Sequence, residues 1–295
     1  MIAKNRSLIL VHIAIAMFGS ASLFGKLIDQ HVFVIVAGRV LFAALLTGLY
    51  FVFSKTNIKL NSKKDYGIIL LTGSILAAHW IAFYHSIQIS TVAIALLTFS
   101  TCPIFATFLE PLFFDEKIKK SDIIVAVIAF WGVAIVIPKI DFNDAIFWGV
   151  LEGVFSGFTF ALVSILERKH VKNYSGLVIS FYEQVIVFII LLPLTIFIGI
   201  KPMVPSQIGI FLLFSIVFTL ISRLLYITGL KHVSAQTAGV ITCLEPLYGA
   251  ILAAIFFSEI PTYRELIGGT IILSAVCYSS IKSMKKASVK NHPSN

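Results

Sequence analysis

Arg39, Glu152, Glu183, Arg223 and Glu245 each stand inside a stretch of sequence that is otherwise almost wholly apolar. In hydrocarbon an ionisable side chain is costly, so each is a candidate for ligand contact, proton transfer or ion pairing. Arg39 and Glu152 fall at similar depth below one face of the membrane, and Glu183 and Arg223 below the other. The expected pairs are therefore Arg39 with Glu152 and Glu183 with Arg223. Such pairs either break alternately as gates or hold helices together as static staples. Arg223 has a third choice, extending its guanidinium to the interface. Glu110, before Pro111, lies near a helix end and is expected to reach headgroups or water.

Glu245 directly precedes Pro246 near the middle of its stretch, and its counterpart one repeat earlier is Cys102. A carboxyl beside a broken helix can meet a ligand's amine or carry a proton; the structural alternative is a protonated, hydrogen-bonded group inside the bundle. In His79-Trp80-x-x-Phe83-Tyr84, four-residue spacing puts His79 and Phe83 on one helix face and Trp80 and Tyr84 on the next. His79 is expected at a cavity. Trp80 and Tyr84 either complete an aromatic wall for a substrate or pack and face lipid. Ser100 and Ser156 are further candidates for the lining, although close helix approach accounts equally well for small hydroxylic residues.

These groups need apolar rods to position them. Hydrophobic residues make up 58% of the 295 and charged residues 13%, with mean hydropathy +0.98. A soluble domain has about 45–50% apolar and about 25% charged residues. A spanning helix needs about 20 mostly apolar residues, and ten stretches qualify: 7–28, 32–53, 67–87, 90–113, 122–138, 145–166, 175–200, 207–229, 234–257 and 263–282. The first lacks a small-x-small cleavage site and reads as a retained span. Residues 283–295 read as a solvated basic tail. Cys102, Cys243 and Cys277 lack metal or disulfide spacing.

Of the 23 Lys and Arg, Arg39 and Arg223 lie within spans and Lys26, Lys139, Lys201 and Arg264 lie on one side; the rest lie on the other. Short loops rich in Lys and Arg stay in the cytoplasm, which places both termini there. The net charge of +9 thus reflects topology, and nucleic-acid binding is excluded.

Ala95, Pro103, Phe113, Phe114 and Glu116 recur 143 positions later as Ala238, Pro246, Phe256, Phe257 and Glu259. Five spans separate the copies, so the second crosses the bilayer in the opposite direction. Repeats of that kind build a midplane site that opens to either side. Pro103 and Pro246 are expected to bend their helices beside protein or a water-lined cavity, and Glu116 and Glu259 to cap helix ends. The halves run over 1–140 and 141–282, with Arg39 opposite Glu183 at an offset of 144.

The duplicated Ala-x7-Pro, ten residues, Phe-Phe-x-Glu pattern in a ten-span chain resembles the drug/metabolite transporter superfamily, EamA type. The resemblance covers essentially the whole chain. It implies an all-α membrane protein, a 5+5 inverted repeat that moves small metabolites, often amino acids, across the bacterial inner membrane. The expected partners are a small-molecule substrate, the lipid bilayer and protons, with no cofactor or metal. The sequence lacks the Walker loop Gly-x4-Gly-Lys-Ser/Thr, and also His-Glu-x-x-His and Gly-x-Ser-x-Gly. That argues against ATP use and against an intramembrane enzyme; a channel or scaffold is the other alternative to a carrier.

Overall fold

Side-chain caps open many of the helices. Ser62, Thr91, Asp144 and Ser175 each accept a hydrogen bond from a backbone N–H of the turn that follows, which satisfies a donor the helix itself leaves free. The computed structural model describes residues 2–113, 118, 120–233, 238, 241–242 and 244–290. Among them the regular structure is helical: α1 Ile2–Ala21, α2 Phe24–Leu27, α3 Val32–Ser54, α4 Lys63–Ile89, α5 Val92–Phe99, α6 Cys102–Phe113 and α7 Lys120–Val136, then α8 Ala145–His170, α9 Gly176–Ile198, α10 Pro205–Ser215, α11 Ser222–Gly229, α12 Glu245–Phe257 and α13 Tyr263–Lys290.

By length and composition seven stretches can cross a membrane: Asn5–Leu27, Val32–Ser54, Lys63–Ile89, Val92–Phe113, Ala145–His170, Gly176–Ile198 and Pro205–Gly229. Asp122–Val136 and Glu245–Phe257 are shorter apolar helices. Phe53, Trp131, Phe197 and Phe256 are exposed on the outside of the bundle, whereas Arg39, Glu183 and Arg223 are buried within it. This inverts the usual arrangement of a soluble domain.

Four details differ from the sequence expectation. The fourth stretch is not one bent helix. It breaks at Ser100–Thr101, and Pro103 opens the new segment α6, where a missing N–H costs nothing. Pro246 likewise stands at the start of α12. The eighth stretch carries a π-helical turn, Ile216–Ile221, between α10 and α11. The tenth runs on to Lys290, through most of the expected tail. Phe114, Glu116 and Cys243, together with most of the first half of the ninth stretch, lie outside the described residues.

Packing relates the two halves. α4 lies along α8, and α1 lies along α11; α5 and α6 pack on α8, and α12 packs on α1. α3 pairs with α9, α7 with α13, and α5 with α12. Each contact maps onto another, or onto itself, when spans five apart are exchanged.

Both helix breaks are seated on a glycine. A Cβ on Gly157 of α8 would stand 2.8 Å from the Phe99 carbonyl at the α5–α6 break. One on Gly19 of α1 would stand 2.8 Å from the Glu245 carbonyl at the start of α12. Gly157→Ala and Gly19→Ala should therefore each lower the unfolding free energy in detergent by about 1–3 kcal/mol, as overpacking does. Gly67→Ala, with open space at its Cβ, is the control, and equal unfolding midpoints for all three would refute the packing argument.

Candidate functional site

Arg39 projects from α3 into the bundle, where a buried guanidinium needs an acceptor for its donors. The π-turn supplies two. Nε donates to Thr219 Oγ1 at 2.8 Å and Nη2 to the Phe218 carbonyl at 3.4 Å. Thr219 Oγ1 in turn donates to Phe214 O, five residues back. A π-turn rotates backbone carbonyls out of the regular ladder, and here one of them faces the arginine. Nη1 donates to Tyr84 Oη at 2.8 Å. The guanidinium carbon lies 4.5 Å from the centre of the Trp80 ring and 4.4 Å from that of Phe214, within cation–π range. Among the described residues Arg39 has no carboxylate partner.

Arg223, on α11, is bonded through Nη2 to two carboxyls, Glu167 of α8 and, at 2.7 Å, Glu183 of α9. Both glutamates are fully buried. Glu183 thus stands where the sequence pairs it. The sequence does not single out Glu167, because it opens the run Glu167-Arg168-Lys169-His170, which reads as the charged end of a span. Its spacing held a usable signal: Ser156, Phe160, Ser164 and Glu167 recur every three or four residues, on one helix face.

A small cavity, with about 30 Å³ accessible to water, lies between the two arginines. That is room for one or two waters. Arg39, His79, Trp80, Tyr84, Arg223 and Glu245 all line it, and Phe18, Phe83, Phe99 and Phe160 complete an aromatic wall. His79 Nδ1 lies 3.1 Å from the Ser156 carbonyl and 2.9 Å from Ser156 Oγ. The imidazole packs 4.9 Å from the Phe160 ring centre. Glu245 Oε2 is buried without a hydrogen-bond partner among the described residues.

Other expected residues are placed elsewhere. Glu152 does not meet Arg39. It sits 2.8 Å from His85 Nδ1, since α8 lies against α4 and shows Glu152 to that helix. Near that pair His31 caps α3 through Nδ1, and burial, then the neighbouring His85, holds its imidazole below the usual histidine range. Ser100 turns back to Leu96 O at 2.8 Å at the helix break and does not line the cavity; Pro103 and Pro246 shape the breaks but do not line it either. Glu110 does not reach water: it is buried and pairs with Arg168 at 3.1 Å. Glu259 accepts from the Val92 N–H at 3.1 Å, capping α5, and pairs with Lys26, which also donates to Ser90 O.

The family model described as the EamA-like transporter family matches residues 5–137 and again 145–281. An uncharacterised transporter of Bacillus subtilis (strain 168), YxxF, is 24% identical over 97% of this chain and 93% of its own. The S-adenosylmethionine uptake transporter of Rickettsia felis is 26% identical over 90% of this chain and 87% of its own. A solved crystal structure superposes with a TM-score of 0.68 over 95% of this chain and 98% of that one, at 13% identity, which establishes likeness of fold.

The placement of Glu152 can be measured by double-mutant cycles on unfolding in mixed micelles. His85→Gln and Glu152→Gln should couple by about 0.2–1 kcal/mol, as half-exposed ion pairs do. Arg39→Lys and Glu152→Gln should be additive, and coupling between those two would restore the pair expected from depth alone.

Proposed function

The chain belongs to the EamA-like transporter family, and from that premise we propose that it is a secondary carrier for an amino acid or related compound, working by alternating access. It is a multi-pass transporter of the inner membrane and not an enzyme. Its ten spans form a 5+5 inverted repeat, residues 1–140 and 141–282, with both termini and the 283–295 segment in the cytoplasm. The doubled family match and the exchange symmetry of the packing support this division. The substrate is carried between the halves.

One observation carries the substrate class. Arg39, which has no carboxylate partner among the described residues, and Glu245, whose Oε2 has no hydrogen-bond partner among them, line the same buried cavity. Unpaired opposite charges in a low-dielectric site complement a zwitterion, whose carboxylate takes the guanidinium and whose ammonium takes the glutamate. Trp80, Tyr84, Phe83 and Phe160 supply aromatic faces for an apolar or cationic side group, and His79, held by Ser156, offers a further polar contact. In this conformation the cavity is too small for such a ligand. Binding therefore requires the halves to move apart, about the breaks at Ser100–Thr101 and Pro246. Arg223–Glu183 and His85–Glu152 are contacts that rearrange as they do.

Counterflow in proteoliposomes tests this, with a panel of labelled amino acids and, given the name of the Rickettsia relative, S-adenosylmethionine. Saturable exchange of one zwitterionic class is expected. Glu245→Gln and Arg39→Ala should abolish it while the protein stays in the membrane at normal levels. Full exchange by both variants would overturn the site, and no exchange across the panel would overturn the substrate class.

A further inference from the structure

We propose that Glu167 and Glu183 together bind one proton, and that its occupancy is linked to ligand occupancy of the central cavity through Arg223. The linkage rests on the carrier reading above; the proton site does not.

The geometry leaves one negative charge over. Two fully buried carboxyls, from α8 and α9, converge on a single nitrogen of one guanidinium. Glu167 Oε2, Glu183 Oε1 and Arg223 Nη1 of the cluster are buried without hydrogen-bond partners among the described residues. An uncompensated ion in such surroundings costs several kcal/mol. A proton shared between the carboxyls removes the excess charge and supplies the missing donor, as in carboxyl dyads that cannot both ionise. A metal cation fits less well, because the guanidinium on the same oxygens repels it.

Among the described residues Arg223 is the one cation hydrogen-bonded to the two carboxyls. Of the groups around the cluster, Arg168, next to Glu167, is engaged by Glu110. His170, further along α8, is turned to the Leu166 carbonyl. On α9 Gln184 donates to Ser180, and on α11 Tyr226 hydrogen-bonds Ser164. Across the cavity α4 brings His79, α6 brings Cys102, and α3 and α12 bring Arg39 and Glu245.

Arg223 faces both sites, since it holds the dyad and lines the cavity. A ligand carboxylate that draws on this guanidinium competes with the glutamates for it, and a proton on the dyad relieves that competition. Ligand and proton therefore favour each other's binding, reciprocally, and move together as a symport.

Infrared spectra of the protein in lipid at neutral pH test the site. The wild type should show a deuterium-sensitive C=O stretch of a buried protonated carboxyl. Glu167→Gln and Glu183→Gln should each abolish it, because the remaining carboxylate then matches Arg223 one to one, and Glu245→Gln should leave it. Absence of the band in the wild type, or its survival in both variants, would overturn the site. If the Gln variants fail to fold, Glu183→Asp must shift the band, and an unshifted band would overturn it equally.

In proteoliposomes with a labelled amino-acid mixture, an inward gradient of one pH unit should concentrate label up to about tenfold in the wild type, the limit for one coupled proton. Glu167→Gln should keep counterflow and lose this accumulation; full accumulation by that variant would overturn the coupling. No counterflow by the wild type would overturn the carrier reading and the coupling with it, while the infrared band still decides the proton site.

Discussion

Hydrocarbon offers no hydrogen-bond partner, and every charge and every interruption of a helix in this protein has to be satisfied by another part of the chain. Arg39 shows how far that demand reaches. Its donors are met by Thr219, by Tyr84 and by a carbonyl at the π-turn, and its flat face is covered by Trp80 and Phe214. Removing the π-turn would leave the guanidinium short of acceptors; removing the guanidinium would leave the displaced carbonyl of Phe218 with the Ser222 hydroxyl as its remaining side-chain donor. The irregular helix and the buried cation stabilise each other, and together they tie the second span to the eighth.

The same demand shapes the two broken helices. Ser100 and Thr101 turn their hydroxyls onto carbonyls of the preceding turn at the first break, and Gly157 allows α8 to press against it. Gly19 does the same for the start of α12. Glu259 closes the far end of this arrangement by capping α5 and holding Lys26. A chain with polar groups on its outer surface would have water for these tasks. Here the polar groups face inward and the large apolar side chains outward, so the polar groups gather around the cavity. That gathering makes a site for a charged small molecule possible at all.

Much of this was legible in the residues. Hydropathy marked where the rods lie, and the 143-residue offset exposed the duplication. Charges in apolar stretches flagged Arg39, Glu183, Arg223 and Glu245, all of which are buried inside the bundle, because a lone ion in hydrocarbon is improbable without a reason. Depth along a helix is nevertheless one coordinate out of three. It set Glu183 beside Arg223 and misassigned Glu152, whose azimuth turns it towards His85. Glu167 was hidden because a charge at the end of an apolar run looks solvated until a neighbouring helix buries it.

The sequence by itself determined that this chain is a bundle of apolar helices with a duplicated plan and internal charges, since composition and period act residue by residue and need no knowledge of neighbours. Only the tertiary structure decided which charges meet. It placed two carboxyls on Arg223 and, among the described residues, none on Arg39, turned Ser100 away from the cavity, and converted two mid-span prolines into the starts of new helices. Those outcomes depend on the rotation of each helix about its own axis, and that rotation is fixed by packing against helices distant in sequence.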